Sequence, residues 1–194
     1  MTTFDDPTAL GSATQGSAAH DYDTAGAPLT AVVDSVADWS APSPCDGWSA
    51  LDVLDHLVST QRGLLAERGI DLDALPELAL DPAGGWSAHY AQMRRRLADP
   101  ALSGLAYEGF FGPTTLGETM TRFYVFDMVV HRWDLARAAG GTTRFTDAEL
   151  DRIEAAAESF GPMLYADGVC RPGVTVPVGA DRQARALAAL GRQE

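Results

Sequence analysis

The stretch TLGETMTRFYVFDMVVHRWDLARAAGG, residues 115–141, decides the fold. Thr115 and Glu118 stand at the spacing of a capping box, in which a hydroxyl and a carboxylate satisfy the first free N–H groups of a helix. Gly140-Gly141 supply the stop, because glycine takes the backbone conformation that ends a helix without strain. One long helix over 116–139 is therefore predicted. At about 100° per residue, Asp127 and His131 lie about 40° apart on one face, one turn from each other. Met120, Tyr124, Asp134 and Ala138 fall on or near that face.

Further helices flank this one. Ser49 with Asp52 is a capping-box variant opening a helix whose Leu51, Leu54, Leu57, Val58, Gln61, Leu64 and Leu65 form a stripe at period 3.6. The turn Pro42-Ser43-Pro44-Cys45-Asp46-Gly47-Trp48 precedes it. A short helix through Leu29, Val32, Val33 and Val36 takes Pro28 in its first turn. Residues 1–25, rich in Gly, Ser, Thr, Ala and Asp, read as a mobile N-terminal arm or a poorly formed first helix. Residues 69–85, with Pro76, Pro82 and Gly84-Gly85, read as a long loop. A third helix then carries Trp86, Tyr90, Met93 and Leu97 up to Asp99-Pro100.

After a Gly-rich segment (Gly104, Gly109, Gly112) and the long helix, Thr146 and Glu149 cap another helix bearing Leu150, Ile153, Ala157 and Phe160. The tail alternates Val174, Val176 and Val178 before a short Ala/Leu helix ending at Gly191. No internal repeat interrupts the pattern. The expectation is an all-α protein: four or five helices in one antiparallel bundle over residues 26–194, with a short C-terminal extended segment and a small helix.

Composition narrows the function. The 194 residues carry 27 acidic and 14 basic side chains, every basic one an Arg, for a net charge of -13. An acidic surface argues against nucleic acid and anionic membrane as partners, since both need clustered cations. Arg94-Arg95-Arg96 is the one cationic run, and at helical spacing it reads as a solvated face. No run approaches the roughly 18 apolar residues of a membrane helix. The N-terminus lacks the basic flank and apolar core of a secretory signal. Cys45 and Cys170 show no paired metal spacing, so a reduced, cytoplasmic protein is expected.

Asp127 and His131 at i, i+4 can reach one divalent ion beside their helix, and His56 on the second helix is the natural third ligand if the two helices pack. The same spacing also describes an ordinary helix-surface pair. His56 sits at the flank of its own apolar stripe, a placement that suits a solvent-facing side chain and a ligand at an open rim equally. His20 and His89 read as surface residues, and Trp48 and Trp133 as packed anchors. Cys45 reads as a small buried residue rather than a nucleophile. Asp134 is equally an orienting partner for His131 or a solvent-facing acid. Arg132 and Arg137 have the geometry to bind a substrate carboxylate bidentately, but read more readily as surface cations paired with Asp or Glu.

The Pro42–Ser49 turn running into Leu51-Asp52-Val53-Leu54-Asp55-His56-Leu57-Val58 resembles the opening motif of an actinobacterial family. That family holds the metal-binding domain of mycothiol-dependent maleylpyruvate isomerase, within the DinB-like superfamily of four-helix metalloproteins. Residues 127–140 are similar to the same family's later helix, and the tail from Val174 to Arg192 to the ending of its short members. The resemblance covers most of residues 29–194. It implies a DinB-like bundle with His56, Asp127 and His131 as metal ligands, zinc as the favoured ion, and mycothiol as a thiol co-substrate. It also implies a small electrophilic substrate and a tendency to dimerise. This chain has Asp127 where the isomerase has Glu, and about 30 residues after the last bundle helix where the isomerase has a substantial second domain.

Three activities fit such a site. One is transfer or isomerisation through a metal-activated thiolate. Another is hydrolysis by metal-activated water. The third is a non-catalytic or regulatory bundle that holds its ion for stability.

Overall fold

The computed structural model describes residues 17–166 and 170–193. Ser17 accepts the His20 N–H and starts α1, Ala18–Val33. The first helix thus begins eight residues before the expected boundary at residue 26. The residues of the expected arm before Ser17 lie outside the described residues. Pro28 sits well inside α1, not in its first turn. The buried stripe of α1 is Tyr22, Ala25, Gly26, Leu29 and Val33, at i, i+3, i+4, i+7 and i+11. Its small early members carry little hydrophobic signal, which hides the first two turns in the sequence.

The Ser49–Asp52 capping box forms as expected and opens α2, Ala50–Ala66. Helix α3, Pro82–Leu97, starts four residues before Trp86. Asp81 accepts the Gly84 N–H at 3.0 Å, and Pro82 occupies the first turn, where its missing N–H costs nothing. Gly84-Gly85 are therefore helical. A Cβ at Gly85 would stand 2.5 Å from Leu78 Cδ2, so a larger residue there requires the Leu78 side chain to shift. A short helix α4, Pro100–Ser103, follows.

The Gly-rich segment is an antiparallel hairpin, β1 Ala106–Gly109 and β2 Gly112–Thr115, with Phe110 and Phe111 at its tip. It is the one sheet among the described residues, and the two strands are too short to have announced themselves by alternation. The predicted long helix is real but interrupted. The capped turn α5, Leu116–Thr119, passes through a π-helical turn, Met120–Tyr124, into α6, Val125–Ala138. The extra residue in that turn lies before Asp127, so the Asp127–His131 phase is untouched.

The four long helices α1, α2, α3 and α6 make the bundle. Helix α1 packs on α3 and α6, and α2 packs on the same two. Consecutive α1 and α2 thus face each other diagonally, joined through the buried bond from Tyr22 Oη to Gln61 Oε1 at 2.7 Å. Trp86, Met93, Leu54, Leu57, Met128 and Leu135 fill the interior. Helix α7, Asp147–Phe160, packs on α6 and on α8, Arg182–Ala189. Arg132, expected at the surface, is buried and grips Glu149 of α7 with two bonds of 2.6 and 3.0 Å. The Val174–Val178 segment pairs with no strand among the described residues, and Val178 is fully exposed. No described helix is long and apolar enough to cross a membrane.

Candidate metal centre

Helix α6 presents Asp127 and His131 toward α2, which presents His56. Their ligand atoms all lie within 4.8 Å of one another. His56 Nε2 is 3.1 Å from Asp127 Oδ2, and His131 Nε2 is 3.3 Å from Asp127 Oδ1. The two imidazoles meet edge to face at 5.2 Å. These are ion-pair distances, and they also lie near the roughly 3.3 Å that separates two ligands bound tetrahedrally at about 2.0–2.1 Å.

His131 is oriented from behind. Its Nδ1 lies 2.8 Å from Asp134 Oδ2, and Asp134 is completely buried. Asp134 in turn accepts Arg192 Nε at 2.8 Å and Nη2 at 2.7 Å. Arg192 comes from beyond α8 and also donates to the Leu190 carbonyl at 3.1 Å. Burial would raise the Asp134 carboxyl, but the hydrogen bonds and charges of Arg192 and His131 hold it below the usual carboxylate range. It is therefore an ionised partner that fixes His131 with Nδ1 as donor and Nε2 toward Asp127.

In the metal-free chain both His131 nitrogens face carboxylate oxygens. Burial pushes its imidazole down, but the Asp127 charge and the bonds to Asp127 and Asp134 outweigh it and hold the pKa well above the ordinary value. Burial likewise raises Asp127, yet the charge on His131 and the bonds from both histidines hold it low. An ionised carboxylate between two imidazole Nε2 atoms offers three donors to a divalent cation once the Nε2 proton leaves. The donor set fits a divalent metal.

A second cluster, Cys45, His131 and Asp134, also has ligand atoms within 4.8 Å. There the Arg192 guanidinium already stands on Asp134, and its Nη2 is 3.6 Å from Cys45 Sγ. A fixed cation fills the place a metal would take, so this cluster supports the first.

The turn before α2 sets Trp48 beside the ligands. Gly47, at φ +75°, lets the chain reverse, and the Trp48 carbonyl accepts the Ser43 N–H at 2.8 Å. This sets the Trp48 ring 5.0 Å from that of His56 and 6.1 Å from that of His131. Trp48 is half-buried against the ligands and so does more than anchor the bundle. Cys45 lies half-buried beside Asp134, with Sγ 3.4 Å from Oδ2. Trp133, as expected, is packed in the core. Arg137 is exposed near the Trp133 ring.

The ligands open onto a cleft of about 730 Å³. One side is aromatic, with Phe123, Tyr124, Phe126 and Phe160; the tail contributes Cys170 and Arg192. Burial pushes the Cys170 thiol up. The sequence singled out neither Cys170 nor Arg192 for this cleft, since nothing periodic links the tail to α6. His20 is exposed, as expected. His89 is not: it is fully buried, with Nε2 3.0 Å from Gln61 Oε1. Helix α3 packs against both α1 and α2, and this broadens its buried face beyond the Trp86 stripe.

A family model described as the mycothiol maleylpyruvate isomerase N-terminal domain matches residues 19–136, which include all three candidate ligands. Two uncharacterized proteins of Mycobacterium tuberculosis, from strains CDC 1551 and H37Rv, are each 29% identical over 143 residues. The match spans 66% of this chain and 69% of each relative. No solved structure matches the chain.

Proposed function

This chain belongs to the mycothiol maleylpyruvate isomerase N-terminal domain family, and on that premise we propose that it holds a divalent cation, zinc by preference, on His56, Asp127 and His131. There it serves a thiol-dependent transfer or isomerisation on a small electrophile. The observation that carries this reading is the convergence of two imidazoles and one carboxylate, from two helices, on the floor of an open cleft. Three N/O ligands with a free vertex are the mark of a catalytic rather than a structural zinc site. A bound ion would lower the pKa of a thiol reaching it, mycothiol by family, and so supply a thiolate at neutral pH.

The protein's own groups have separate tasks. Asp134 keeps His131 Nε2 facing the ligand position, and Arg192 keeps Asp134 ionised in its buried setting. Trp48 shields the two imidazoles from water on one side. The cleft volume suits two small molecules, a thiol and its acceptor.

The test is metal analysis of tag-free protein, followed by mycothiol consumption with wild type, His56→Ala and His131→Ala. The expected result is about one zinc per chain and thiol-dependent turnover, both lost in the two variants. Equal turnover in wild type and His131→Ala would remove the site, and turnover without any thiol would point to hydrolysis.

A further inference from the structure

Resting on the thiol-transfer reading, we propose that the electrophile is a flat, uncharged, apolar molecule whose ring or conjugated system lies against Phe123 and Phe160. Phe123 and Phe160 are near-parallel, with centroids 5.4 Å apart and planes 5° apart. Phe111, from the hairpin tip, continues the array at 6.0 Å from Phe123 and 6.5 Å from Phe160, within 10° of parallel. Phe126 closes it edge-on, 5.8 Å from Phe160. Aromatic pairs favour offset stacking at centroid distances of about 4.5–7 Å, so an incoming ring extends an arrangement that already exists. The π-helical turn at Met120–Tyr124 places Phe123 and Tyr124 on this wall, and both also line the neighbouring cleft beneath the hairpin.

The cations argue the same way. The cleft beside the ligands holds two, and both are engaged. Arg192 is bound to Asp134 and the Leu190 carbonyl. Arg171 holds Asp46 at 2.5 Å and the Pro44 carbonyl at 3.0 Å. Arg122, in the neighbouring cleft, lies over the rings of Phe111, Phe123 and Phe160 and donates to Ser159 Oγ at 2.5 Å. At the ligand end of the cleft a substrate carboxylate drawing Arg192 away would strand the buried Asp134, whereas a neutral ring leaves that pair intact.

The probe is 1-chloro-2,4-dinitrobenzene against its charged analogue 4-chloro-3,5-dinitrobenzoate, with mycothiol and zinc-loaded protein. In both, the thiolate sulfur bonds to the ring carbon bearing chlorine. Chloride leaves with the C–Cl electron pair, and the thiol proton passes to buffer. The expected result is a rate enhancement over the uncatalysed reaction about tenfold or more higher for the neutral ring, the cost of desolvating one unpaired carboxylate. Phe160→Leu and Phe123→Leu keep apolar volume but lose the ring face. Each should weaken the neutral substrate about fivefold, and the pair more.

Binding is read separately by quenching of tryptophan fluorescence with unreactive 1,3-dinitrobenzene, in metal-free and zinc-loaded protein. Its affinity should fall in the Leu variants, and 3,5-dinitrobenzoate should compete poorly. Preference for the benzoate, or unchanged affinity in both variants, would overturn the proposal. Phe-dependent binding without turnover of either compound supports the ring site and sinks the transfer reading instead.

Discussion

Replacing Asp134 by Asn removes one charge and almost no volume, from a side chain that water does not reach. Two consequences follow from its contacts. Arg192, whose side chain is only 10% exposed, loses its sole carboxylate partner among the described residues. Breaking a buried ion pair from one side costs about 3–5 kcal/mol. Arg192 stands at the cleft edge beyond α8 and can turn toward water, so the lower end, about 3 kcal/mol, is expected. The other consequence concerns His131. An amide oxygen can still accept from Nδ1, so ring orientation persists while the imidazole loses the anion that supports it. Loss of such a partner weakens metal affinity about 10- to 100-fold. Urea denaturation of metal-free protein measures the first effect, and competition with a zinc chelator the second. In an Arg192→Ala background the stranded cation is gone, and Asp134→Asn should cost about 2 kcal/mol less. Loss of under about 1 kcal/mol together with unchanged zinc affinity would refute the idea that Arg192, Asp134 and His131 act as one support.

Burial pushes the His89 imidazole down to about 3, with the Arg62 charge adding to the effect. The unfolded chain then binds a proton near pH 6.5 that the native state refuses, so this contribution is complete above that pH and is lost as pH falls toward 3. Between pH 7.5 and 5 the stability of wild type relative to His89→Gln should shrink by about 2 kcal/mol, and parallel pH profiles would contradict the buried assignment. Gly26→Ala should destabilise in thermal melts despite a helix-propensity gain of about 1 kcal/mol. Its Cβ would stand 2.2 Å from Tyr90 Cε2, in a ring held between Tyr22 and Trp86. Ser49→Ala removes the cap of α2 and should cost about 1 kcal/mol, with little change in zinc affinity, because His56 lies nearly two turns further on.

Each helix whose start was legible has a side chain that satisfies its own first turn. Ser49, Thr115 and Thr146 all form the capping boxes their spacing announces. Where that signal is weak, the helix begins earlier than its hydrophobic pattern indicates. Helix α3 begins at Pro82 because Asp81 and Pro82 outweigh two glycines, and α1 begins at Ala18 although its buried face opens with Tyr, Ala and Gly. His89 is buried although it lies off the Trp86 stripe, because a helix packed on two neighbours buries more than one stripe. The hairpin and the π-helical turn carry no periodic signal of their own length, yet between them they place Phe111, Phe123 and Tyr124 beside the candidate site.

Sequence alone settles whatever depends on a few bonds of local geometry. Helical phase puts Asp127 and His131 on one face, capping chemistry starts α2 and the long helix, and the surplus of carboxylates sets the charge. Whether His56 reaches that face depended on α2 packing against α6. Whether Asp134 backs His131 or meets water depended on which way α6 turns toward the tail. Arg192 joins Asp134 across 58 positions of chain. Such contacts arise where hydrophobic burial brings distant elements together, and burial depends on area rather than on the identity of the polar atoms it encloses, so only the folded chain could reveal them.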